Sequence, residues 1–262
     1  MFKFCSLYSG STGNSSLIQT ENTKILIDSG ESAKKIADAL ISININPTQI
    51  DAILVTHEHS DHVKGVGTFS KKYNVPVYAN KETWNAMLAQ KEKISEENIK
   101  YFNFSRFSIG NLDILPFSIP HDAANPCGFN VFYNNKKISI ATDIGHMTTE
   151  IVEKLENSSF ILLEANYDSN ILKCSSYPYI LKQRISGPNG HLSNDTAGKT
   201  ISYLVSHGLN TVMLGHLSKE NNFPELAYQT VVNQLIENNV NEDIFHLSVA
   251  NRYTVSPIIE VS

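Results

Sequence analysis

The chain has 262 residues, 41% of them hydrophobic, enough for a layered α/β enzyme built as one domain over 1–262. Charged residues are 18%, and 21 Lys and Arg against 26 Asp and Glu leave a net charge of −5, a balance that does not advertise a polyanion partner yet leaves room for a local basic groove. Three cysteines without a C-x-x-C pair argue against a disulfide scaffold or thiolate zinc site, and with no apolar leader and no apolar run near ~18 residues the expectation is a cytoplasmic protein that does not span a membrane.

Phe2 to Tyr8 and Lys24 to Ile27 read as strands, and Ser32 to Ile41 as a helix with Ile36, Ala37 and Leu40 on one face. Asp51 to Thr56 is a short buried strand, and helical spacing resumes from Asp61 to Tyr73. Val75 to Ala79 reads as strand and Lys81 to Lys91 as helix. Leu112 to Ile119, Gly128 to Tyr133 and Lys136 to Thr142 are strand-like, the last two joined by a tight Asn134-Asn135 turn. Thr149 to Glu156 is helical and Phe160 to Leu163 is a buried strand. Ala197, Ile201, Leu204 and Val205 mark a helix before the strand Thr211 to Leu214. Ala227, Val231 and Leu235 mark the last long helix, and Ile244 to Val249 a late strand. Strands and helices alternate in both halves, which suggests two similar α/β halves with sheets face to face and helices outside. Periodicity alone carries no more than the class α/β.

The segment His57-Glu58-His59-Ser60-Asp61-His62 carries the chemistry. It follows a buried strand, and spacing two in an extended backbone points His57 and His59 the same way. Asp61 and His62 follow at a helix start. Imidazole and carboxylate donors suit zinc, manganese or iron. Four such groups cannot complete two metal shells, so further ligands belong at other strand ends. His121, Asp143 and His216 each lie just past an apolar run. His191, in Gly190-His191-Leu192-Ser193, is a further candidate, whereas His146, His207 and His246 lack this placement.

In this order the H-x-H-x-D-H run, His121, Asp143 and His216 resemble the metallo-β-lactamase superfamily. The resemblance covers nearly the whole chain and implies a four-layer αββα sandwich. It implies one metal on His57, His59 and His121, a second on Asp61, His62 and His216, and Asp143 bridging them. Asp28, in ILIDSG, would orient the cluster from behind the ligands. More narrowly, SGSTGNS, YPYILKQRISGPNGHLSN and GHLSKENN are similar to the YycJ-like (WalJ-type) branch, regarded as nuclease-like phosphodiesterases. The Gly190 to Ser193 segment is similar to one that places a histidine beside the phosphate in phosphodiesterases of this fold, a role that falls here to His191. One departure is Tyr167, where relatives often have histidine.

The resemblance therefore implies phosphodiester hydrolysis with two divalent ions, zinc or manganese ahead of iron, and DNA, RNA or a small phosphodiester as substrate. Asp61 would serve catalysis as an anionic ligand, and His191 would stabilise charge or protonate the leaving oxygen. Asn14 is a candidate substrate contact, and Ser193 is another, with capping of the following helix as its competing role. Lys182 and Arg184 read as solvated helix charges with phosphate contact as the alternative. Opening of a lactone, thioester or β-lactam is a second hydrolase reading that leaves the Gly190 to Ser193 segment without a use. A non-catalytic metal-binding regulator is a third, and it would be expected to show gaps among the ligands.

Overall fold

The computed structural model describes residues 1–238, 240 and 245–261. Fourteen strands form among them: β1 (Lys3–Tyr8), β2 (Ser15–Gln19), β3 (Lys24–Ile27), β4 (Ala52–Leu54), β5 (Val77–Ala79), β6 (Ile99–Tyr101), β7 (Phe107–Ile109), β8 (Leu112–Ser118), β9 (Cys127–Tyr133), β10 (Lys136–Ala141), β11 (Phe160–Glu164), β12 (Thr211–Gly215), β13 (His246–Val249) and β14 (Ile259–Glu260). The helices are α1 (Ala33–Ser42), α2 (Ser60–Val63), α3 (Val66–Tyr73), α4 (Lys81–Ala86), α5 (Leu88–Lys91), α6 (Thr149–Leu155), α7 (Ser169–Cys174), α8 (Tyr179–Ile185), α9 (Asn194–Ser206) and α10 (Pro224–Glu237).

The strands make two sheets of seven, ordered β14-β1-β2-β3-β4-β5-β6 and β13-β12-β11-β10-β9-β8-β7. In the first, β1, β2 and β3 pair antiparallel and β4, β5 and β6 follow in parallel. In the second, β8, β9 and β10 are antiparallel and β11, β12 and β13 parallel. The halves therefore repeat one plan.

Period-two alternation explains the layering. Ile25 and Ile27 of β3 join the core between the sheets, together with Phe160 and Leu162 of β11. Leu26 points the other way and packs with Ile36, Ala37 and Leu40 of α1 and Phe69 of α3. Ile161 and Leu163 face outward onto Ala197 and Ile201 of α9 and Ala227 and Val231 of α10. Helices thus cover the outer face of each sheet, giving the αββα sandwich.

Several elements differ from their sequence expectations. The helix expected from Asp61 to Tyr73 breaks into α2 and α3 at Lys64 and Gly65, where a Cβ on Gly65 would run into the Glu31 carbonyl. The helix expected from Lys81 to Lys91 is broken at Met87. Strand β2 escaped detection because two of its five residues are serines, although both are buried. Ser15 Oγ is satisfied there by donating to the Asp28 carbonyl at 2.9 Å. The Asn134-Asn135 turn is present, with Tyr133 paired to Lys136 and Asn134 at φ 53°. Of the late strand, Ile244 lies outside the described residues and β13 starts at His246. No helix among the described residues is long and apolar enough to cross a membrane.

Candidate metal centre

The site forms where loops leave the C-terminal ends of strands in both sheets, the edge at which open α/β sheets bind ligands. Asp28 follows β3, His57 to His62 follow β4, Asp143 follows β10, Glu164 ends β11 and His216 follows β12. Asp28 and Asp143, each just past the strand at which its sheet changes from antiparallel to parallel pairing, both have φ 61°, and His216 has φ 54°. This left-handed conformation is tolerated best, among residues with a side chain, by Asn, Asp and His. It turns each chain sharply at the strand end and aims the side chain inward.

His57, His59 and His121 stand together, with His57 Nε2 and His59 Nδ1 3.1 Å apart. His121 Nδ1 donates to the Gly190 carbonyl at 3.1 Å, which turns its Nε2 toward the site. Asp61, His62 and His216 form a second group, with Asp61 Oδ2 3.5 Å from His62 Nε2 and 3.6 Å from His216 Nε2. Asp143 stands between the groups, Oδ2 3.4 Å from His62 Nε2 and Oδ1 3.7 Å from His121 Nε2. A tetrahedral ion with bonds of about 2.0–2.1 Å spaces neighbouring donor atoms about 3.3 Å apart, which matches these separations. Asp143 Oδ2 and His216 Nε2 are buried with no hydrogen-bond partner among the described residues, as expected of atoms shaped to hold a cation. The donor set fits a pair of metal ions.

Behind the donors lies a supporting layer. Asp28 accepts from Thr56 N, Thr56 Oγ1 and His62 Nδ1, each at 2.8 Å. The family resemblance implies this role for Asp28 but none for Glu164. That glutamate is fully buried and uses both oxygens. Oε1 accepts from His191 Nδ1 and His216 Nδ1, both at 2.8 Å, while Oε2 accepts from Ile144 N at 3.0 Å and Leu192 N at 2.9 Å. The available signal was an acidic residue closing the apolar run FILL, the same pattern that drew attention to Asp143.

Four buried or half-buried carboxylates set the electrostatics. Burial opposes charge on His62, but Asp143, Asp28 and Asp61 outweigh it and raise its pKa well above the ordinary value. Burial likewise opposes charge on His216, and Asp143, Asp61 and Glu164 push it up to about 10. Burial resists ionisation of Asp61, yet the His62 and His216 imidazoles hold its carboxyl well below the usual range. His57 goes the other way, lowered by burial and by the imidazoles of His62, His121 and His59. Protons on two imidazoles thus offset part of a negative charge that metal ions would offset instead.

The remaining candidates divide. His191 lines the cleft over the donors, a cavity of about 260 Å³, together with Arg184. Asn14 is part of the wall: Oδ1 accepts from Gly10 N at 2.9 Å, and Nδ2 lies 3.4 Å from Asp61 Oδ2 and 3.1 Å from His62 Nε2. Ser193 is the N-cap of α9, its Oγ accepting from Thr196 N at 3.2 Å. Lys182 Nζ donates to the Lys173 carbonyl at 2.7 Å, away from the cleft lining. Tyr167 lines a separate groove with Leu172, Tyr179 and Lys182. His146 donates to the Pro188 carbonyl, His207 ends α9 and His246 is exposed on β13, so none of the three joins the cluster.

Comparison with known proteins bears on this site. Residues 8–187 match the metallo-beta-lactamase superfamily. The chain is 39% identical over 264 residues to exodeoxyribonuclease WalJ of Streptococcus pneumoniae serotype 2 (strain D39 / NCTC 7466), covering 99% of this chain and 98% of that one. It is 35% identical over 242 residues to exodeoxyribonuclease YycJ of Bacillus anthracis, covering 89% of each. In fold it is similar to Zn(2+)-bound PqqB from Methylobacterium extorquens, with a TM-score of 0.72, 13% identity and coverage of 97% and 99%.

Proposed function

The chain belongs to the metallo-β-lactamase superfamily, and on that premise we propose that it is a two-metal phosphodiesterase acting on nucleic acid, with DNA cleaved as an exonuclease the foremost reading. The observation that carries this is the His191–Glu164 pair beside the donor cluster. The buried glutamate holds Nδ1 and leaves Nε2 toward the cleft, the arrangement of an oriented acid–base imidazole. A non-catalytic regulator would not need this pair, and the phosphodiester is favoured over a lactone, thioester or β-lactam by the 39% and 35% identity to exodeoxyribonucleases.

Zinc or manganese suits the donors ahead of iron, with cellular availability choosing between them. When bound, two such ions neutralise charge on the phosphoryl oxygens and lower the pKa of the attacking water. His57, His59 and His121 would hold one ion and Asp61, His62 and His216 the other, with Asp143 shared. Asp61 is the more open of the two aspartates, its side chain 21% exposed against 3% for Asp143. It stays ionised and orients the attacking water through the hydrogen bond its carboxylate accepts. Asn14 steadies Asp61. The attacking water passes one proton to bulk solvent, its oxygen bonds to phosphorus as the bond to the leaving oxygen breaks, and His191, held through Nδ1 by Glu164, gives its Nε2 proton to that oxygen.

Metal content and hydrolysis of two substrates test this. His59→Ala is expected to lose metal and activity together. His191→Ala is expected to keep its metal and lose about 10²–10⁴-fold on an oligonucleotide, whose alkoxide leaves poorly without a proton. Its loss on bis-p-nitrophenyl phosphate, whose phenolate leaves unaided, should be smaller. Metal loss from His191→Ala, or equal losses on both substrates, contradicts the acid role.

A further inference from the structure

The cleft over the metal donors does not end at His191. A second cavity of about 200 Å³ adjoins it, and Ser11, Arg184 and His191 line both. One side of the second cavity is apolar and aromatic, from Leu181 and Ile185 of α8 and Tyr177 just ahead of that helix. Asn166 and Ser218 bring polar groups to it. Both are held in place: Asn166 Nδ2 donates to the His216 carbonyl at 2.8 Å, and Ser218 Oγ accepts from Asn221 N at 3.2 Å and Asn221 Nδ2 at 3.3 Å. These bonds leave the Asn166 amide oxygen to accept and the Ser218 hydroxyl to donate. Apolar walls with a few fixed polar groups make a ligand pocket, and this pairing suits a flat heterocycle with polar edges.

Its position says which part of a substrate it meets. With Nδ1 held by Glu164, His191 has Nε2 free, and the oxygen that takes its proton lies where the two cavities join. With the scissile phosphate over the metal donors, the group carried by that oxygen extends into the second cavity. We propose that this cavity is the subsite for the leaving nucleoside of a nucleic-acid strand, its base against Tyr177 and Leu181 and its polar edge on Asn166 and Ser218. The assignment rests on the phosphodiesterase reading of the metal centre. Arg184 belongs to the same device. Its Nε donates to Asp122 Oδ2 at 2.6 Å, which anchors the guanidinium at the junction and leaves its terminal nitrogens for the phosphate. Binding energy from a part of the substrate remote from the reacting phosphorus would then raise kcat as well as lower KM.

Dinucleotides bearing an abasic sugar on one side or the other of the scissile phosphate test this with the metal-loaded protein, and the products show which oxygen leaves. An abasic sugar on the leaving side is expected to lower kcat/KM about tenfold or more, the scale of losing one stacked base, and on the other side by less. Leu181→Trp, which fills the cavity, and Tyr177→Ala, which removes its ring, are expected to shrink the preference for an intact leaving nucleoside to about twofold. Equal rates on the two abasic dinucleotides, or a preference unchanged in both variants, overturn the subsite. Bis-p-nitrophenyl phosphate carries no nucleoside and separates the two readings. Hydrolysis of it without discrimination between the abasic dinucleotides refutes the subsite alone. Metal-loaded protein that cleaves neither it nor the dinucleotides refutes the phosphodiesterase reading beneath.

Discussion

Glu164 shows how much one side chain organises here. Its two oxygens accept four hydrogen bonds and tie His191, His216 and the backbone at Ile144 and Leu192 to one point. A glutamine keeps the shape but replaces one acceptor with a donor that faces other donors. Glu164→Gln is therefore expected to weaken metal binding about 10–100-fold, read by metal titration, as changes behind a ligand commonly do. Gly30 matters for a steric reason. Its N–H donates to the Asn14 carbonyl at 2.8 Å, and a Cβ there would overlap the Asp61 carbonyl. Gly30→Ala is expected to push the Asp61 turn outward and lower metal content, measured against total protein. Neither residue stands out in the sequence, since an acid at a strand end and a glycine in a turn are both common.

At the scale of elements, short pieces do the positioning. Helix α2 has four residues, and the break at Gly65 lets Asp61 and His62 face the cleft while α3 packs its Val66 and Phe69 on the first sheet. Continuous helical spacing hid that break, because the Gly65 N–H leaves the helical ladder to donate to the Ser29 carbonyl at 2.8 Å, a partner distant in the sequence. Helix α9 starts at the cap formed by Ser193. Ser193→Ala is expected to cost about 1 kcal/mol of stability by denaturant unfolding and to leave KM for an oligonucleotide unchanged. A raised KM would return Ser193 to the substrate. Strand β2 was illegible for the opposite reason to α2: its serines look like loop, and only the neighbouring strands that bury them make them part of a sheet.

The whole molecule is two copies of one plan closing over a shared core, with its donors drawn from both sheets. The metal-free state is held partly by protons on His62 and His216, whose pKa values are raised, the second to about 10. A raised imidazole pKa contributes stability that is fully present below the unfolded value of about 6.5 and is lost as pH climbs toward the folded value. Metal requires those nitrogens unprotonated and binds better as pH rises. The increase in Tm on adding zinc or manganese is therefore expected to grow from about pH 6 to about pH 9, and chelation should reverse it. A Tm increase that shrinks with rising pH would contradict the protonation assigned to His62 and His216.

The sequence by itself determined the α/β class, most of the strands and the seven His and Asp residues that the fold brings together. It did so because helical and strand periods are local, and because metal donors are few residue types at strand ends. Only the tertiary structure decided which groups support them. Glu164 reaches His216 across 52 positions and His191 across 27, and Asn14 reaches Asp61 across 47. The face of α8 that carries Leu181 beside His191 was likewise unreadable. Such partners are chosen by how two sheets meet, and no period along the chain records that.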